Sequence, residues 1–299
     1  MGRGRTANKH SNLSRSEDTV GLLTNENRVT SGYNPWQSIK AKLALKCTRK
    51  SKRFGILVCV TILVCVAILL GMNFANIVGG VEAKENSWPW QVSIQIGEVH
   101  YGSGSLINDQ WVLTAAHVVE ELDKKDRSER EYRVASVHIH PQFFRKTWHY
   151  DIALVKLDEK VRFGANISPV CLVEAEADLP LPGTKCFVTG WGITEMQSVS
   201  NKLREVDLKL ISQDVCKQSD FNKTRIKDDM ICAGNVKDGK GPCIGDSGGP
   251  LLYLDPKNGK WTQIGITSWG YRCGDSDHPS VFQRVDISKE WIEGIINEN

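Results

Sequence analysis

One segment limits the architecture of this chain before any other. FGILVCVTILVCVAILLGM, Phe54 to Met72, runs for 19 residues without a charge. As a helix it extends about 28 Å at ~1.5 Å per residue, enough to cross the hydrocarbon core of a bilayer. The run is too long for a secretory h-region, and the 53 residues ahead of it are too many for an n-region. Seven Lys or Arg fall between Lys40 and Arg53, whereas the next basic residue after the run is Lys84. The positive-inside bias therefore predicts a single-pass type II arrangement. Residues 1–53 form a cytosolic head, 54–75 a signal-anchor helix with a short tether, and 76–299 a luminal or extracellular body.

Charge divides at the same place. The head carries 12 basic and 3 acidic residues, net +9, and residues 54–299 carry 26 and 32, net −6. A mildly acidic body excludes nucleic acid as its partner, and the basic cluster beside the span suits anionic lipid headgroups. Rich in Ser, Asn, Arg and Lys, with few large apolar residues, the head reads as disordered. Of nine cysteines, Cys47 is cytosolic and Cys59 and Cys65 lie in the span, so six remain for an oxidising compartment. Two sequons of the body, at Asn166 and Asn222, are candidate glycosylation sites, whereas a third at Asn12 lies on the cytosolic side.

Beyond Ile77 the texture becomes that of an all-β protein. QVSIQI, WVLTA, IALVKL, CFVTGW, QIGITSW and SVFQRV recur between clusters of Gly, Pro, Asn and Asp. The end of the chain differs: after Asp286 as cap, Ile287, Trp291 and Ile295 recur every four residues and predict a short amphipathic helix.

GDSGGP, Gly245 to Pro250, is the most specific string. A Gly-rich turn would account for its glycines alone, but small neighbours around Ser247 also suit a serine nucleophile. A hydroxyl needs a base to remove its proton. TAAH offers His117 as that base, and YDIAL offers Asp151 to orient the imidazole. The other histidines, including the strand-like pair His138 and His140, carry no third ligand and read as structural.

Together IVGG, WVLTAAH, DIALVKL, GDSGGPL and SWG resemble the landmark strings of the chymotrypsin-like, trypsin-fold serine proteases. The topology resembles that of the type II transmembrane members without their stem modules. The resemblance runs from Ile77 almost to the C-terminus. It implies two packed six-stranded antiparallel Greek-key β-barrels, a catalytic triad of His117, Asp151 and Ser247, and an oxyanion hole from the N–H groups of Gly245 and Ser247. It further implies a zymogen, activated when a cut between Asn76 and Ile77 frees an amine that pairs with Asp246. Asn76 is not the basic residue that trypsin-like activators require. Three routes fit the sequence: an activator that cuts after Asn, signal-peptidase-like cleavage after Ala75 with trimming of Asn76, or a chain that stays uncut.

By the same resemblance Gly241 forms the base of the primary specificity pocket, Ser268, Trp269 and Gly270 its wall, and Ser280 faces them. Such an uncharged pocket implies cleavage after large apolar or aromatic residues. Disulfides are implied for Cys216 with Cys232 and Cys243 with Cys273. Gly102 and Val118 stand where the family has a bridge beside the catalytic histidine, and Tyr253 stands at the usual partner position of Cys186. For Cys171 and Cys186 three states stay open: free, joined to each other, or bridged to another chain. The interval from His117 to His140 is short for the family, so a strand of the first barrel is expected to be missing or reduced.

The expected function is a membrane-anchored serine endopeptidase that needs no cofactor and no metal. Its partners are protein or peptide substrates, the bilayer, an activating protease and protein inhibitors, with shedding of the body if the chain is cut before Ile77. A non-catalytic homologue that binds proteins at the cell surface is the alternative.

Overall fold

The computed structural model describes residues 17–18, 79–97, 99–120, 127–128, 133–175, 179–193, 200–219, 225–234, 239–275 and 277–299. The expected span and tether, Asn76, Ile77, Asn222, Cys47, Cys59 and Cys65 lie outside the described residues. Among the described residues no helix is long and apolar enough to cross a membrane.

The body opens on a two-residue strand, β1 (Val81–Glu82). Five strands then build a first antiparallel sheet: β2 (Gln91–Ile96), β3 (Val99–Leu106), β4 (Trp111–Thr114), β5 (Val134–Ile139) and β6 (Ala153–Leu157), in the order β2-β3-β4-β6-β5. One helical turn, α1 (Ala116–Val119), leaves the end of β4. The second sheet holds β7 (Cys171–Leu172), β8 (Lys185–Gly190), β9 (Arg204–Ile211), β10 (Met230–Gly234), β11 (Pro250–Asp255), β12 (Lys260–Trp269) and β13 (Ser280–Arg284). Its path β8-β11-β12-β13-β10-β9 closes on itself because β9 also pairs with β8, giving a six-stranded barrel. Closure leaves no free edge within that ring. Outside it, β1 adds to β9 and β7 runs parallel to β12. A short helix, α2 (Gln213–Ser219), follows β9, and α3 (Lys289–Glu298) closes the chain.

The strand period is visible in burial. Along β9, Arg204, Val206, Leu208 and Leu210 turn inward while Lys209 faces water. In β12 seven consecutive residues, Thr262 to Ser268, are buried, because the strand packs on both its faces. One core cluster joins the two sheets, with Ile94, Val112 and Leu154 from the first and Val188, Leu251, Ile264 and Phe282 from the second. Buried side-chain hydrogen bonds pin the seam between them: Ser105 Oγ donates to Gln263 Oε1 at 2.6 Å, and Thr189 Oγ1 donates to Gln91 Oε1 at 2.5 Å. Polar groups so placed keep the seam in one register, since each would cost free energy if left unpaired.

Two expectations are corrected here. The resemblance implies six strands in each barrel, and the first sheet has five among the described residues. Between α1 and β5 the described residues include one further strand, Arg127–Ser128, which pairs in parallel with Glu17–Asp18. The second correction concerns the start of α3, which a 3-10 turn (Asp286–Ser288) precedes. Asp286 does not cap the helix. Its carboxylate is buried against Arg284, with bonds of 3.1 and 2.5 Å, and the residue that α3 buries is Ile292.

Two disulfides form, Cys216–Cys232 and Cys243–Cys273, while Cys171 and Cys186 are free, the first exposed and the second buried. Burial pushes the Cys186 thiol up to about 12, so it carries no thiolate at neutral pH. Beside α1, a Cβ on Gly102 would lie 2.7 Å from a Val118 methyl, so the valine side chain fills the space over Gly102.

Candidate active site

The first sheet delivers an imidazole and a carboxylate to the seam. His117 sits in α1, directly after β4, and Asp151 lies just before β6, which pairs with β4 from Trp111 to Thr114. That pairing brings residues 34 apart in sequence into contact. His117 Nδ1–H donates to Asp151 Oδ2 at 2.7 Å, and the His117 backbone N–H donates to Oδ1 at 2.9 Å. Ser268 Oγ, from β12, donates to Oδ2 at 2.5 Å, and the Asp151 N–H donates to Gln283 Oε1 at 2.9 Å. Asp151 is fully buried. Three donors on one buried carboxylate fix its position, and the carboxylate fixes the imidazole with its proton on Nδ1 and Nε2 as acceptor. Trp148 packs edge-on against His117, with ring centroids 4.9 Å apart. The corner that carries Asp151 is strained: Trp148 and Tyr150 hold φ of 60° and 48°. It is held by the Tyr150 N–H, which donates to Asp229 Oδ2 at 2.7 Å.

The second sheet delivers the hydroxyl. Ser247 lies in the turn before β11. Its carbonyl accepts from Ser103 N–H at 2.8 Å, and Gly248 N–H donates to Thr267 O at 2.8 Å. Gly248 has φ +83° and a Cβ there would fall 2.2 Å from Thr114 Oγ1, so the turn requires glycine. Among the described residues the Ser247 hydroxyl makes no hydrogen bond, to His117 or to any other group. Ser268 bridges the two halves, because it bonds Asp151 and lines the same cavity as Ser247.

Gly245 is held from the side of its carbonyl. His100 Nε2–H donates to Gly245 O at 2.8 Å, Ser103 Oγ donates to the same oxygen at 3.2 Å, and Ser93 Oγ–H donates to His100 Nδ1 at 2.8 Å. Burial lowers the His100 pKa, opposed by the bond to Gly245, so the ring is neutral with its proton on Nε2. Sequence alone leaves His100 among the structural histidines. No local signal marks it, because its partner lies 145 residues away.

Asp246 is fully buried in a cradle of glycines, where a Cβ on Gly190 or Gly192 would come within 2.2 or 2.5 Å of the carboxylate. Its oxygens accept from Gly192 N–H at 2.8 Å and Cys243 N–H at 2.9 Å. Burial pushes the carboxyl up to about 6, against the downward pull of the Cys243 and Gly192 N–H groups. No cation pairs with it among the described residues.

Beside Ser247 a cavity of about 340 Å³ is lined by Pro242, Ile244, Thr267, Ser268, Trp269, Gly270, Tyr271, Arg272 and Ser280, with the half-cystines Cys243 and Cys273. Gly241 does not line it. The Ser280 hydroxyl, which does line the cavity, stands 3.0 Å from where a Cβ on Gly241 would be. Among the described residues no carboxylate lines the cavity. Among the described residues no group of His, Cys, Asp and Glu could hold a metal ion. His140 stacks on Tyr150 at 4.5 Å and His138 Nε2 contacts Ser136 Oγ at 2.9 Å, so the two rings serve separate packing roles.

Residues 77–292 match the family model described as Trypsin. Transmembrane protease serine 11G of Rattus norvegicus is 38% identical over 243 residues, and that of Mus musculus 37% over 238. Ovochymase of Halocynthia roretzi is 35% identical over 239 residues. These alignments cover 76%, 75% and 75% of this chain but only 58%, 57% and 15% of the respective relatives.

Proposed function

The chain belongs to the trypsin family, and on that premise we propose that it is a membrane-anchored serine endopeptidase, made as a zymogen, with His117, Asp151 and Ser247 as its triad. The observation that carries this reading is the buried Asp151 carboxylate, which holds the imidazole of His117 while sharing Ser268 with the cavity that contains Ser247. Ser247 Oγ attacks the substrate carbonyl carbon as its proton passes to His117 Nε2. The oxyanion is held by the N–H groups of Gly245 and Ser247. His117 then returns the proton to the amine as the C–N bond breaks, leaving an acyl group on Ser247. Water repeats the sequence: its proton goes to His117, its oxygen bonds the acyl carbon, and Ser247 leaves with the proton restored.

Asp246 acts as the switch. A buried carboxylate without a cation is costly, and the amine of Ile77, freed by cleavage after Asn76, supplies one. Pairing fixes Asp246, and with it the backbone of Gly245 and Ser247 on either side. The relatives named as transmembrane proteases support an anchor in residues 54–75, between a cytosolic head, 1–53, and the protease domain, 76–299. An activating protease, protein inhibitors and glycans at Asn166 and Asn222 complete the proposed partners.

The cavity supports a large apolar or aromatic side chain next to the scissile bond. It offers a basic side chain no carboxylate, while Arg272 on its wall repels one. The test is hydrolysis by chain cleaved before Ile77, beside a Ser247→Ala control. Peptides with Phe, Tyr, Leu or Met at the cut are expected to exceed those with Arg or Lys by about tenfold or more in kcat/KM, since an unpaired buried charge costs several kcal/mol. Preference for Arg or Lys would overturn the pocket assignment. Absence of any Ser247-dependent hydrolysis would leave the protein-binding homologue as the reading.

A further inference from the structure

The second barrel grips the backbone around Asp151 at two neighbouring peptide groups. The Asp151 N–H donates to Gln283 Oε1 at 2.9 Å, and the N–H of Tyr150, one residue earlier, donates to Asp229 Oδ2 at 2.7 Å. Met230 pairs with Gln283 across β10 and β13, so the ladder sets both acceptors side by side. Behind the carboxylate, the Asp229 carbonyl accepts from Arg284 N–H at 2.9 Å.

Asp229 is 5% exposed, and burying a carboxylate costs free energy unless its oxygens are paired. Its one side-chain hydrogen bond goes to Tyr150. Among the described residues Oδ1 accepts none, with His149 Nδ1 3.2 Å away. The corner that receives the bond is unfavourable in itself, because Trp148 and Tyr150 hold φ of 60° and 48°, where aromatic side chains persist only under outside constraint. Packing supplies part of that constraint, since Tyr150 stacks on His140 at 4.5 Å. On the other side lies a cavity of about 590 Å³, lined by His149, Tyr150, Asp229 and Arg284 among others, where contacts are missing.

The corner controls both members of the imidazole–carboxylate pair. Ile152 N–H donates to Tyr150 O at 2.7 Å, a three-residue turn about Asp151, so the angle of the Tyr150 residue sets the direction of the Asp151 side chain. Trp148, two residues earlier, lies edge-on to the His117 ring. We propose that Asp229 is a positioning residue for the hydrolysis: by holding the Tyr150 N–H it keeps the corner in its left-handed backbone and so aims Asp151 at His117. The inference rests on the protease reading for its kinetic consequence. Loss of about an ångström of alignment at such a pair costs up to about a hundredfold in rate.

The experiment compares full-length chain, cleaved before Ile77, with its Asp229→Ala and Asp229→Asn variants on a peptide with Phe at the cut, with rates scaled to the folded fraction read by near-UV circular dichroism. Asp229→Ala is expected to lose about ten- to hundredfold in kcat with KM changed by less than about twofold, because the acceptor is gone. Asn keeps a carbonyl oxygen for the Tyr150 N–H, so Asp229→Asn is expected to stay within about threefold of unaltered chain. Adding Tyr150→Asn, which enters left-handed backbone more readily, is expected to recover at least about threefold of the Asp229→Ala loss. Asp229→Leu, which fills the space without an acceptor, takes the place of Asp229→Ala if the latter leaves the chain unfolded. The Nδ1–H proton of His117, followed by NMR in Ser247→Ala chain with labelled histidine, reads the Asp151 contact without hydrolysis. It is expected to move in Asp229→Ala and to stay in place in Asp229→Asn. A normal kcat per folded molecule in Asp229→Ala, an unmoved proton, or a loss in Asp229→Asn equal to that in Asp229→Ala overturns the proposal. A proton that moves as expected, with no Ser247-dependent hydrolysis by any chain, keeps the positioning role and removes the protease reading.

Discussion

At the scale of single residues, the decisive group is a carboxylate that the fold cannot leave alone. Asp246 has its pKa raised by burial to about 6, compared with 3.8 for a free side chain. The sign follows from linkage: a carboxyl raised in the folded state favours folding below about 3.8, and that contribution is lost as pH rises to about 6. Uncut chain should therefore lose stability across that interval, and Asp246→Asn should remove this component of the pH dependence. Urea unfolding at several pH values measures it, and an unchanged profile in Asp246→Asn would contradict the assignment. The residues of the proposed chemistry were legible because each stands in a distinctive string. Their support was not: His100 meets Gly245, Gln283 meets Asp151, and Ser268 meets Asp151 across separations of 145, 132 and 117 residues. Nothing local to any of them encodes the encounter.

Among the elements, legibility depends on period and length. QVSIQI and SVFQR alternate, are bounded by turn residues, and form β2 and β13. The closing helix also forms, and its core-facing side holds Trp291 and Ile295 as the period predicts, with Ile292 the most deeply buried. Trp291 and Ile295 still pack against the core beside Ile292, while at the helix start Arg284 takes Asp286 out of the capping role and a 3-10 turn precedes the helix. Pairing order was beyond the sequence. Closure of β8 on β9, and the addition of β1 to β9, depend on which apolar faces meet in space. Gly241 shows the same limit at the pocket: its place in the string was readable, but not that the Ser280 hydroxyl would line the cavity while Gly241 does not.

For the whole molecule the open choice is topological. An anchor at residues 54–75, as proposed, would place head and body on opposite sides of a bilayer. Glycans test that arrangement. In secretory-pathway expression, Asn166 is expected to carry a glycan and Asn12 to carry none, read by peptide mass after endoglycosidase treatment. A glycan at Asn12 would put the head on the luminal side and refute the type II arrangement.

The central claim is that the site is assembled by the amine of Ile77 docking on Asp246. It is tested most directly by the rate at which a fluorophosphonate labels Ser247 before and after cleavage between Asn76 and Ile77. Slow labelling of uncut chain is predicted, with at least about a hundredfold gain on cutting, as expected if a single oxyanion donor is brought into place. The gain should fade at alkaline pH as the amine deprotonates, and Asp246→Asn should abolish it. Equal labelling of cut and uncut chain would contradict the claim.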